Sequence, residues 1–211
     1  MFNPFRRWPD AHGLSIAIFA LAQALPVPQA SAQLTPDRIA LCASCHGVDG
    51  NSPLAEHPKL AKLQPSYFVR QMEDFKKGRR KSTVMQGIVA GIDEKEFQAF
   101  AAYFYQQNPP TPGKGDPKRL AQGKEIFYEG IVGSAVPACS GCHKDDGTGT
   151  NRYPRLAGQH PQYLVQQLLN YKSGARDNDD RGLMRAVAQR MNEAEIRAVS
   201  EYIVTMKGDE E

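Results

Sequence analysis

All four cysteines of this 211-residue chain fall in two copies of one five-residue word, Cys42-Ala43-Ser44-Cys45-His46 and Cys139-Ser140-Gly141-Cys142-His143. In a helical turn, residues i, i+3 and i+4 share a face, so each copy projects two thiols and an imidazole together. Two thiols can add across the two vinyl groups of a haem while the imidazole reaches the iron, which makes CxxCH the attachment signature of c-type haem. A disulfide scaffold has no use for the histidine. Structural zinc is the other reading of four cysteines, but zinc motifs keep their ligand pairs close, and here 93 residues separate Cys45 from Cys139. Two covalent haem c groups are therefore expected.

The start of the chain reads differently. Arg6 and Arg7 precede the apolar run Leu14 to Leu25, and Ala30-Ser31-Ala32 puts small residues where a signal peptidase reads. This predicts a secretory signal peptide over residues 1–32, cleaved after Ala32, and export to the periplasm. The run falls short of the ~20 residues that span a bilayer, which leaves any membrane association to a partner. With 26 Lys and Arg against 23 Asp and Glu, and no interleaving of aromatic with basic residues, nothing points to nucleic acid.

After Cys42 the chain repeats itself. Tyr67-Phe68-Val69-Arg70-Gln71 matches Tyr163-Leu164-Val165-Gln166-Gln167, PKLA at 58–61 matches PRLA at 154–157, and VMQGIVAGIDEKEFQAFAAYF (84–104) matches LMRAVAQRMNEAEIRAVSEYI (183–203). The Pro- and Gly-rich run 108–117, NPPTPGKGDP, cannot hold a helix and reads as a linker. This divides the mature chain into domains 33–107 and 118–211. Each reads as helical: Thr35 with Pro36 starts a first helix, Pro65 and Pro161 start the middle helices, and Asp93 and Asn192 cap the last ones. Apolar residues recur at helical spacing in both last helices and no window alternates as a strand. Domains this small bury little apolar area and need a staple. A bonded haem supplies one.

Iron held by His has a sixth position, and a Met thioether there raises the potential and closes the site. Met72 aligns with Leu168 and Met191 with Ile92, which suits core filling. Met206 lies beyond the last shared helix, and only Met85 and Met184 align with each other. His57 aligns with Tyr153, so a His57 ligand would break the symmetry, and His160 sits before Pro161 at a helix start. An axial imidazole donates its other N–H to an acceptor. Pro58 and Pro154, at matching places, each offer a carbonyl for this.

These motifs resemble the soluble periplasmic diheme cytochromes of the c4 family over nearly all of the mature chain. The resemblance implies an all-α fold of two tandem class I cytochrome c domains, each wrapped around one covalent haem c. It implies Cys42, Cys45, His46 and Met85 at the first haem, Cys139, Cys142, His143 and Met184 at the second, and the Pro58 and Pro154 carbonyls on the axial imidazoles. It implies an electron carrier rather than an enzyme, passing single electrons in a periplasmic respiratory chain towards a terminal oxidase, with a bc1-type complex or a dehydrogenase as other redox partners. Similar chains serve as cytochrome subunits of dehydrogenases, and a diheme peroxidase is the enzymatic alternative. One departure is visible: the family's opening Gly-containing helix is present in the second domain, with Gly123 and Phe127 opposite Tyr202, but the first opens only with TPDRIALC.

The run Lys76-Lys77-Gly78-Arg79-Arg80-Lys81 stands just before Met85. It reads either as a solvated basic loop or as a docking patch for an acidic partner.

Overall fold

The computed structural model describes residues 34–208. The expected signal peptide lies outside the described residues. Helix α1 (Pro36–His46) has Pro36 at its first position, where the missing N–H costs no bond. Thr35 stands at the cap with extended backbone, yet its side chain makes no capping hydrogen bond, so proline rather than the expected hydroxyl starts this helix. Helices α2 (Pro65–Lys76) and α7 (Pro161–Ser173) begin at their prolines. Helices α3 (Thr83–Ala90) and α8 (Leu183–Gln189) carry Met85 and Met184. Helices α4 (Phe97–Tyr105) and α9 (Glu193–Ile203) are entered through capping boxes, Asp93 with Glu96 and Asn192 with Glu195. The second half adds α5 (Pro117–Glu129), capped by Asp116, and the single turn α6 (Ser140–His143).

Two hydrophobic cores follow the repeat. One gathers Phe68, Met72, Phe75, Val89, Ile92, Phe97, Phe100 and Phe104, where α2 packs on α3 and α4. The other gathers Phe127, Leu164, Met191, Ile196, Val199, Ile203 and Met206, where α7 packs on α8 and α9. Met72, Met191 and Met206 are thus core fillers. Two lysines anchor the matching turns that follow α3 and α8: the Lys76 ammonium donates to the Ile92 carbonyl, and the Lys172 ammonium to the Met191 carbonyl at 2.7 Å.

The halves differ where the sequence does. In the second, α5 crosses α9 with Gly123 at the contact, and the Phe127 and Tyr202 rings meet at 5.8 Å between centroids. A loop closed by an antiparallel bridge between Ile131 and Val136 then separates α5 from the CxxCH turn. In the first half α1 runs directly into CxxCH. The segment 108–117 is not a free tether: Gly113 N–H donates to the Val204 carbonyl at 2.8 Å, Asp116 N–H to Glu201 Oε2 at 2.9 Å, and Asn51 Nδ2 to the Asn108 carbonyl at 3.1 Å.

Candidate haem sites

The CxxCH words sit on helical turns, as their spacing requires. On α1, Cys42 and His46 are buried and Cys45 is half-buried. In the second half Cys139 stands at the start of α6, Cys142 is exposed and His143 is buried. None of the four cysteines is in a disulfide, which leaves each sulfur available to a haem vinyl group.

The imidazoles are oriented from behind. His46 Nδ1 lies 2.8 Å from the Pro58 carbonyl oxygen, and His143 Nδ1 lies 2.9 Å from that of Pro154. A carbonyl only accepts, so Nδ1 carries the proton in each ring and Nε2 keeps its lone pair. Burial lowers both histidine pKa values, most strongly opposing the imidazolium, while the proline bonds push the other way. The rings are therefore held neutral, with Nε2 presented as a ligand atom.

One continuous cavity of about 1190 Å³ is lined by both CxxCH words, both proline segments, Met85 and Met184. Met85 and Met184 are half-buried on its wall. Ser82 fixes the first Met-bearing helix, its Oγ accepting the Met85 N–H at 3.3 Å. The apolar side chains Leu41, Val84, Ile88 and Leu183 remain exposed around the same cavity. His57 lies in the first half with its ring edge-to-face to His46, centroids 6.0 Å apart, and Tyr153 takes the matching place beside His143 at 6.0 Å. His160 starts α7, and its Nε2 lies 2.8 Å from the Ser52 carbonyl across the seam between the halves.

The seam itself holds residues that sequence reasoning missed. Buried Arg80 donates to Gln71 Oε1 in its own half, and to Tyr163 Oη and Gln167 Oε1 in the other, at 2.9, 3.0 and 2.9 Å. Buried Arg176 mirrors it, reaching Gln167 Oε1 at 2.9 Å, Tyr67 Oη at 2.9 Å and Gln71 Oε1 at 3.0 Å. Each guanidinium also stacks on a ring, Arg80 on Phe75 and Arg176 on Tyr171. Tyr67, Gln71 and Arg80 occupy the places of Tyr163, Gln167 and Arg176 in the repeat, so the seam is isologous, like a two-fold dimer interface. Its carboxylate, Asp74, already serves Arg79 at 2.7 Å and Asn178 at 2.6 Å. Burial raises the Tyr67 phenol, but Arg176 and Arg80 more than offset this and lower it. The cavity wall at the seam is thus short of negative charge.

This breaks up the expected basic patch. Arg80 points into the seam and is 9% exposed. Lys76 is tied to the Ile92 carbonyl and lies over the Phe97 ring. Arg79 is paired with Asp74, and Lys77 approaches Glu73 at 3.8 Å. Lys81 stays exposed. Burial of Arg80 is the physical reason: its N–H donors are taken up by neutral partners at the seam and are not offered to a docking protein.

These residues fit a haem in each half. Paired thiols match two vinyl groups, a free Nε2 matches an iron ligand, apolar walls match the macrocycle, and uncompensated guanidiniums match its carboxylates. Among the described residues, no group of three or more His, Cys, Asp or Glu converges as a zinc site would need. An all-helical fold with a CxxCH turn, a proline-oriented imidazole and a Met-bearing helix in each half defines the class I cytochromes c.

Comparison with known proteins narrows this. The cytochrome c family model matches residues 120–207. Cytochrome c4 of Pseudomonas aeruginosa is 38% identical, over 79% of this chain and 84% of its own. The thiosulfate dehydrogenase electron acceptor of Thiomonas intermedia is 33% identical, over 96% of this chain and 92% of its own. The crystal structure of reduced recombinant cytochrome c4 from Pseudomonas stutzeri superposes with a TM-score of 0.77 at 36% identity, covering 81% of this chain and 95% of that one. The chain belongs to the cytochrome c4 family. It carries two covalently bound haem c groups and is a diheme electron-transfer protein.

Proposed function

We propose that Cys42 and Cys45 hold the first haem, with His46 and Met85 as axial ligands, and that Cys139 and Cys142 hold the second, with His143 and Met184. In this reading residues 33–107 and 118–211 are two domains joined by 108–117. The observation that carries it is the doubled arrangement: each half turns a CxxCH face and a methionine on a short helix towards one cavity. Bound haem supplies one reversible electron per iron. The chain supplies fixed ligands. Pro58 and Pro154 hold the two imidazole orientations, and the Ser82 cap holds the start of the helix bearing Met85. Ligands held in the same place in both oxidation states keep reorganisation small.

Removal of residues 1–32 on export would leave the mature protein in the periplasm. No described helix is long and apolar enough to cross a membrane. There it would accept electrons from a dehydrogenase and pass them towards a terminal oxidase. The similarity to the thiosulfate dehydrogenase electron acceptor of Thiomonas intermedia supports a dehydrogenase as donor. Lys77, Arg79 and Lys81 stay exposed and are what remain of the docking patch for an acidic partner.

Ligand variants test the assignment. Met85→His and Met184→His should each lower one of two midpoint potentials and leave the other in place. If either substitution leaves both potentials unmoved, that methionine is not a ligand.

A further inference from the structure

His57 is the least explained polar residue of the cavity wall. Its Nδ1 is buried without a hydrogen-bond partner. A buried polar atom left unpaired forfeits its hydration with nothing in return, so such an atom in a native site calls for a partner. His57 lines the cavity, packs its ring against His46, and immediately precedes Pro58, whose carbonyl orients that ring. The second half builds the same place with Tyr153, which precedes Pro154 and packs beside His143. At both positions the side chain is an aromatic ring with a polar edge. The axial role of His46 does not need this edge, because His46 is already satisfied at Nδ1 by Pro58.

We propose that His57 is a positioning residue for the first haem, with its Nδ1–H donating to a carboxylate of that group. This rests on the reading of Cys42, Cys45 and His46 as the first haem's attachment. A donor on the carboxylate withdraws negative charge from the neighbourhood of the iron. It therefore favours the ferrous state. The role needs only a neutral imidazole donor.

The test is a potentiometric titration of the purified holoprotein, with His57→Phe beside His57→Asn. Phe keeps the ring and removes the donor; Asn keeps an N–H and removes the ring. For Phe we expect one of the two midpoints to fall, corresponding to about a threefold to tenfold rise in the ferric-to-ferrous ratio at fixed potential, part of the worth of one charge-assisted hydrogen bond. The wave that moves should be the one that Met85→His moves and Met184→His does not. Asn should stay near the wild-type value, as should His57→Tyr, which copies position 153. The proposal is overturned if Phe leaves both waves in place, if it moves both equally, or if Asn shifts the wave and Phe does not, since that pattern belongs to ring packing. Failure of the underlying haem reading looks different: the protein would show no covalent haem and no pair of waves to move.

Discussion

Gly123 offers the sharpest test of how the second half is held together. It lies on α5 where that helix crosses α9. A Cβ added there would press on the Ala198 carbonyl oxygen and stand 2.7 Å from both the Ala198 carbonyl carbon and Tyr202 Cβ. Two of these three atoms are backbone of a packed helix, so the clash cannot be relieved by turning a side chain. The helices must move apart, which loosens Phe127 from Tyr202 and opens the core beneath. Overpacking in a close-fitted core costs typically 1–3 kcal/mol, and Gly123→Ala belongs at the upper end, about 3 kcal/mol. For a domain of this size that lowers the melting temperature by roughly 12–24 °C. Haem absorbance and far-ultraviolet circular dichroism during heating would follow it. The loss should fall on the second half, because among the described residues the first half has no such crossing. A melting temperature within about 2 °C of wild type, a shift of under ~0.5 kcal/mol, would refute the account of this contact.

Other outcomes follow from the same structure. Arg80 and Arg176 share the oxygens of Gln71 and Gln167, so their substitutions to Met should be non-additive in urea unfolding, with a coupling of about 1 kcal/mol or more; simple additivity would mean the two arginines act alone. Ser82→Ala removes the cap of α3 and should cost about 1 kcal/mol, read as faster amide exchange at Met85 and its neighbours. On the acid side, the Arg38 guanidinium hydrogen-bonds Glu96 at 2.5 and 2.7 Å and holds its carboxyl below the usual range. A depressed carboxylate contributes stability above its unfolded value, near pH 4.5, and loses it as pH falls through its folded value. Arg38→Gln should therefore flatten the acid limb of the stability curve below pH 5 and raise the Glu96 titration seen by NMR; an unchanged Glu96 titration would sink this pairing.

Most of the helical frame and the pairing of its motifs was legible because the chain states them twice. Pro65 and Pro161, Asp93 and Asn192, and Met85 and Met184 stand at matching places, and a local rule of helix chemistry accounts for each. Gly123 and Phe127 opposite Tyr202 were legible for the same reason. The seam was not. Its signal was present, since Tyr67, Gln71 and Arg80 recur as Tyr163, Gln167 and Arg176, but the repeat alone does not say which faces of two domains meet. Arg80 stands in a run of like charges, and such a run reads as solvated surface until a partner from distant sequence is placed beside it. The packing of the linker segment was hidden in the same way: Pro and Gly exclude a helix over 108–116, but whether the chain hangs free or packs depends on Val204 and Glu201, far along the sequence. The unpaired Nδ1 of His57 is likewise a property of surroundings that alignment with Tyr153 could not reveal.

The most direct test of the central reading is the near-infrared and visible spectrum of the oxidised protein, with covalent haem counted per chain. The account predicts two haems and a methionine-to-iron charge-transfer band of two-site intensity. One-site intensity with a high-spin component would mean that Met85 or Met184 leaves its iron open, and a chain without covalent haem would contradict the reading of both CxxCH words.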